Sequence, residues 1–219
     1  MKRCAPLPVL LLASQWLAAT RAEDFQTWYT ASLKWFDTEY VDPIATGHFR
    51  MTDKSTDFSL WRFGQAAMAN PMAWMRAGLA YRYTEQERPN GSWLHQRRGD
   101  IMLIPHWKLS QRLSASLRHQ FELRSTEGAD EISERLRMRL QLSLSTPSWH
   151  PMHSAYSSNE VFHDFDRERI SENRFVPMGL RFRLNEKTHL RFFYMLRSLR
   201  GLEQWRHAHV VGTGMSLFL

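Results

Sequence analysis

Arginines at alternate positions are the residues of this chain best equipped to do chemistry. In residues 134–145, ERLRMRLQLSLS, Arg135, Arg137 and Arg139 share one parity, while Leu136, Met138, Leu140, Leu142 and Leu144 share the other. A guanidinium keeps its charge in proteins and presents a planar fork of donors, which suits a carboxylate or an oxyanion. The same alternation surrounds Glu122 with Arg118 and Arg124 in residues 112–124, and carries Arg76 and Arg82 in residues 73–83. It recurs with Arg181 and Arg183 in residues 174–184, which open on Arg174, and with Arg191 in residues 188–197. Glu122, Glu134 and Glu160 are the acids expected among these cations. Such a row either stiffens a wall through Arg–Glu pairs or guides and binds small anionic solutes. The sequence leaves both readings open, although no acid interrupts Arg135, Arg137 and Arg139.

Only one regular element can position side chains in this way. A helix turns about 100° per residue and would scatter alternate leucines around its circumference. A strand sends them all to one face and the arginines to the other. One apolar and one cationic face describe a wall between unlike media. An arginine facing hydrocarbon costs about 2–4 kcal/mol at the bilayer midplane, so the cationic face must turn inward. The expectation is an all-β chain forming a single antiparallel transmembrane β-barrel. Clear strands are expected in residues 25–35, 73–83, 112–124, 134–145, 154–163, 174–184, 188–197 and 207–219. Weaker candidates are 44–51, 58–67 and 94–106, with Pro43, Pro71 and Pro105 nearby. In residues 174–184, Val176, Met178, Leu180, Phe182 and Leu184 are expected to point outward. Eleven candidates sit awkwardly with the even numbers of bacterial barrels. About 12 strands are therefore expected, with 10 as the alternative. Loops are expected to alternate between short (107–111, 185–187) and long (125–131, 198–205), with Trp74, Trp107 and Trp149 at the periplasmic rim.

The N-terminus names the two media. Lys2 and Arg3 precede the apolar run 5–19, and Thr20-Arg21-Ala22 ends it in small-residue signal-peptidase style. Residues 1–22 read as a signal peptide cleaved between Ala22 and Glu23, leaving residues 23–219 as one outer-membrane barrel domain. Cleavage removes three cations and no acid, taking the formal charge from +7 to +4, and removes Cys4, the one cysteine. An exported chain without disulfides needs another constraint, and a closed sheet supplies it. Aromatic residues make up 13% of the chain, nine of them tryptophans, in keeping with interfacial girdles. Export argues against a nucleic-acid partner. The expected surroundings are the Gram-negative outer membrane, its lipids and lipopolysaccharide, and the barrel-assembly machinery during insertion.

Several short pieces, in order, resemble the Gram-negative outer-membrane barrels grouped as domain of unknown function 2490. They are Gln26-Thr27-Trp28, the Arg118-x-x-x-Glu122-x-Arg124 strand, Asn159-Glu160-Val161-Phe162 and Glu172-Asn173-Arg174. An aromatic strand ending at Tyr194 and then His209 complete the series. The resemblance implies an outer-membrane barrel and brings no activity with it. The chain departs from many such barrels at its end, where Phe218 is penultimate and opposite in parity to Met215, Leu217 and Leu219.

Other chemistries are weaker readings. A lipid-modifying enzyme would need a nucleophile, a base and an orienting group, and no Gly-x-Ser-x-Gly motif is present. Ser154, Ser157, Ser158, His153, His163 and Asp164 are the local hydroxyl and imidazole supply. His150 and His153 stand a strand length from His163, Asp164 and Asp166, about 30 Å, so they cannot share a metal ion. No metal site and no cofactor is expected. A filled, non-conducting barrel that acts through its loops is the alternative to an anion channel or binding site.

Overall fold

A computed structural model describes residues 24–36, 40–52, 56–88, 90–147, 151–201 and 204–219. The expected signal peptide, its cleavage site Ala22–Glu23, Trp149 and His150 lie outside the described residues. The described chain contains eleven strands and no helix: β1 Asp24–Lys34, β2 Val41–Thr52, β3 Asp57–Met72, β4 Met75–Glu87, β5 Trp93–Lys108 and β6 Leu113–Thr126. There follow β7 Ser133–Ser145, β8 Met152–Asp164, β9 Arg169–Arg183, β10 Thr188–Arg200 and β11 Trp205–Phe218. Consecutive strands pair antiparallel and the sheet closes on itself.

The count of eleven corrects the expected twelve, and the alternative of ten. The physical reason is the seam. β1 pairs with β11 in parallel, from Asp24 opposite Ala208 to Lys34 opposite Phe218. An odd number of up-and-down strands can close only through one parallel pair, so the barrel is antiparallel everywhere else. The three weak candidates are all genuine strands. Pro43 lies in β2, Pro71 in β3 and Pro105 in β5. Pairing of β5 with β6 is interrupted between Leu103 and His106, where Pro105 has no N–H to give.

The turns after β1, β3, β5, β7 and β9 mark one rim, called upper here, and the other turns mark the lower rim. Loop lengths do not alternate as expected. Upper connections run from two residues (73–74) to six (35–40 and 146–151), and lower ones from four to six. Strands extend into stretches that composition marks as loops, including Glu85 in β4 and Ser125 in β6. Trp74 and Trp107 do lie exposed at the same, upper rim.

The two faces are sorted as the alternation demands. Leu79 is 62% exposed and Leu140 48%, while Gln120 and Glu122 are completely buried. Small residues on the inner wall admit large neighbours. A Cβ at Gly179 would collide with the Tyr156 ring, and one at Gly212 with the Phe193 ring. These rings join Trp28, Val176, Met195 and Val210 in an apolar cluster inside the barrel, beside β1 and β8–β11.

Val176 is a correction, since outward orientation was expected. Tyr156 pairs with Gly179 but Ser158 pairs with Val176, so β9 carries one extra residue around Pro177. A bulge of this kind reverses the alternation. Below it Glu172, Arg174 and Val176 face inward; above it Gly179, Arg181 and Arg183 do. Arg174 and Arg181 have opposite parity, yet the bulge turns both into one lumen.

Candidate functional site

The lower part of the lumen is filled by ion pairs. Glu122 on β6 sits at its centre. Arg137 Nη1 donates to its Oε1 at 2.8 Å, Arg135 Nη2 lies 2.6 Å from its Oε2, and Arg98 Nη1 lies 3.3 Å from its Oε1. Gln120 Nε2 adds a hydrogen bond of 3.0 Å. Glu160 on β8 accepts from Arg137 Nη2 at 2.9 Å and from Arg118. Asp100 takes Arg82 at 2.6 Å and Arg98 at 3.1 Å. Glu172 takes Arg174 at 2.8 Å and Arg197 at 2.7 Å, and Asp164 takes Arg124 at 3.3 Å.

Aromatic rings fill what the ion pairs leave. Phe162 is fully buried, with the guanidinium carbons of Arg135, Arg137 and Arg174 at 5.0, 4.6 and 4.5 Å from its ring centre. Trp28 carries Arg50 at 4.0 Å, Arg174 at 4.9 Å and Arg197 at 5.5 Å. Desolvated guanidinium groups gain from such faces as well as from carboxylates. This layer links β1, β2 and β4–β10 across the lumen.

Above it lies a cavity of about 280 Å³. Its walls come from nine strands, all but β5 and β11, so it lies on the barrel axis. Eight arginines line it, against one carboxylate, Glu160. Four of the eight, Arg62, Arg139, Arg181 and Arg191, have no carboxylate partner among the described residues. Arg62 Nε donates to Thr84 Oγ1 at 2.8 Å, Arg181 lies 4.4 Å over the Tyr156 ring, and Arg191 lies 5.4 Å over Phe193. Arg191 Nε, Arg118 Nε and His48 Nε2 are buried with no hydrogen-bond partner. Toward the upper rim Gln141, Ser143 and Arg181 are partly exposed and Arg183 is exposed. Unpartnered donors in a desolvated, cation-rich space can hold a small oxyanion.

Residues 25–207 match the family described as Protein of unknown function (DUF2490). The chain belongs to the DUF2490 family. No curated protein and no solved structure matches this chain.

Within this DUF2490 barrel, the predicted lumen residues divide into two groups. Arg118, Glu122, Arg124, Arg135, Arg137, Glu160 and Arg174 belong to the paired network, and Arg139, Arg181 and Arg191 to the unpaired wall of the cavity. Arg183 stands apart, exposed at the upper rim. Arg76 pairs with Asp42 at 3.2 Å on the same rim. Two expectations are corrected. Arg135, Arg137 and Arg139 are not a ladder free of acids, because β6 and β8 bring Glu122 and Glu160 between them. Glu134 is exposed and shares the parity of Leu136, so it does not join the inner acids.

Arg50, Arg62, Arg98, Asp100, Glu172 and Arg197 escaped the sequence reading. Arg197 shares the parity of Arg191 and was within reach of it. Asp100 and Arg98 were hidden because β5 carries Met102 and Ile104 on its inner face as well. Glu172 falls in a charged stretch that reads as loop. Apart from His48 in the cavity wall, His153, His163 and His209 lie away from the lumen network. His153 stacks on His189 at 6.1 Å near the upper rim, His163 contacts Phe165 at 5.1 Å near the lower one, and His209 stacks on Tyr194.

Proposed function

We propose that this DUF2490 chain is an outer-membrane β-barrel, exported by residues 1–22, that binds a small anionic solute in its upper lumen without conducting it. The observation that carries this reading is the inversion of polarity: apolar side chains exposed around the wall, charged ones buried within. Strands of 11–16 residues rise about 36–54 Å, enough to cross an apolar band of about 25 Å at the tilt of such barrels. Trp35, Trp74 and Trp107 toward one rim, with Phe49, Phe58 and Trp93 toward the other, suit interfacial girdles. Lipid, lipopolysaccharide and the assembly machinery are the surroundings this reading implies.

Four guanidinium groups without carboxylates favour an anion, and the small cavity favours a small one. The buried layer around Glu122 and Phe162 favours a blocked axis over a conduit. Planar-bilayer recording together with calorimetric titration of phosphate and sulfate into detergent-folded protein tests both parts. Expected are a silent bilayer and saturable binding that disappears when Arg139, Arg181 and Arg191 are changed to Gln. Steady anion-selective current would restore the channel reading. Silence without binding would leave a filled barrel that works through its loops.

A further inference from the structure

A second concave site lies on the outer wall, near the lower rim. Its centre is a carboxylate–imidazole pair. Glu85 on β4 stands opposite His95 on β5, and its Oε1 is 3.1 Å from His95 Nδ1. Glu85 is itself held in place: Trp61 Nε1 donates to its Oε2 at 2.9 Å, and the Tyr83 hydroxyl donates to its Oε1 at 2.8 Å. Tyr83 stacks on the His95 ring, and Trp61 packs against Tyr83. The Tyr83 hydroxyl, 2.9 Å from His95 Nδ1, gives its proton to Glu85, so Nδ1 faces two acceptors and carries the ring proton, which leaves Nε2 as the basic nitrogen. The nearest carboxylate to His95 Nε2 is Glu127, at 3.8 Å, too far for a hydrogen bond.

His95 lines a cavity of about 410 Å³, together with Tyr83, Arg97, Ser125, Thr126 and Glu127. Ser125 on β6 stands opposite Arg97, and Arg97 opposite Tyr83, so hydroxyl, guanidinium and phenol share one row of the outer face. His95 is the diagonal neighbour of Ser125 on that face. Diagonal partners lie about 7–8 Å apart at Cα, within reach of a long side chain. The parts of an acyl-transfer site are thus gathered: an oriented base, a hydroxyl nucleophile and a cation.

We propose that Glu85, His95 and Ser125 form an esterase site on the outer wall, acting on acyl esters of phosphate-bearing lipids. It rests on the membrane placement proposed above, which would bring lipid to this wall. Ser125 Oγ attacks the ester carbonyl carbon, forming a C–O bond while His95 Nε2 takes the hydroxyl proton. The ester C–O bond then breaks, and His95 returns that proton to the departing alcohol. Water, deprotonated in turn by His95, attacks the acyl-serine and releases the fatty acid, restoring Ser125. Arg97, beside the nucleophile, holds the lipid phosphate.

The test uses the detergent-folded full chain and a fluorophosphonate probe, which bonds phosphorus to an activated serine and expels fluoride. One adduct on Ser125 by peptide mass is expected, absent in Ser125→Ala. His95→Gln and Glu85→Gln should each slow labelling by about 10²–10⁴-fold while the folded band in unboiled gels is unchanged. Fatty acid should also be released from phospholipid or lipopolysaccharide vesicles carrying the protein. An unlabelled Ser125 in a barrel that still enters bilayers overturns the esterase alone. A labelled Ser125 in a chain that does not enter bilayers supports the site and overturns the membrane reading instead.

Discussion

Arg137 and Arg139 stand two residues apart on β7 and face the same way, yet their surroundings differ. Arg137 is buried against Glu122 and Glu160, with Phe162 beneath it. Arg139 lines the cavity and has no carboxylate partner among the described residues. The lower lumen uses most of its guanidinium groups as structural cross-links, each ion-paired to a carboxylate from the same or another strand. The upper lumen leaves them charged and available, a poor arrangement for stability alone because like charges repel in a confined space. The same residue type therefore does opposite work a few ångströms apart: Glu160 stands opposite Arg139 in the register, yet its carboxylate is taken by Arg118 and Arg137.

Substitution should expose that difference in order of size. Glu122→Gln leaves Arg98, Arg135 and Arg137 around a neutral side chain, and breaking a buried ion network costs about 3–5 kcal/mol. The urea midpoint of the detergent-folded protein should fall accordingly, and an unchanged midpoint would dissolve the contrast between the halves. Leu140→Arg compares the outer wall with the inner. If Leu140 faces acyl chains, the cost in lipid vesicles should be about 2–4 kcal/mol. A barrel surrounded by water would tolerate the change within about 0.5 kcal/mol. Arg139→Gln should have the smallest effect on stability, under about 1 kcal/mol and in the stabilising direction without ligand, since it relieves repulsion. The same variant should weaken phosphate binding measurably, so stability and binding move independently in the upper half and not in the lower.

The outer wall shows how much depends on strand ends. Ser125 opens an expected loop, 125–131, and Glu85 shortly precedes the turn signal Pro89-Asn90-Gly91. In the barrel both lie within strands, on one face; His95 and Ser125 line one hollow, and Glu85 stands against His95 behind it. Spacing along the chain carries no trace of that meeting, since His95 and Ser125 are thirty residues apart and joined only by the β5–β6 register.

The sequence by itself determined the faces. Two-fold alternation, as in Arg135–Leu144, fixes which side chains share a wall, because the pleat leaves no other choice; it therefore foretold a sheet with arginines on one side and leucines on the other. The tertiary structure decided everything that depends on neighbouring strands: closure through a parallel β1–β11 seam at eleven strands, the β9 bulge that turns Arg174 and Arg181 into the same lumen, and the pairing of Arg137 but not Arg139. Alternation is a property of one strand, whereas register, seam and ion pair belong to two or more, and no single segment of the chain contains them.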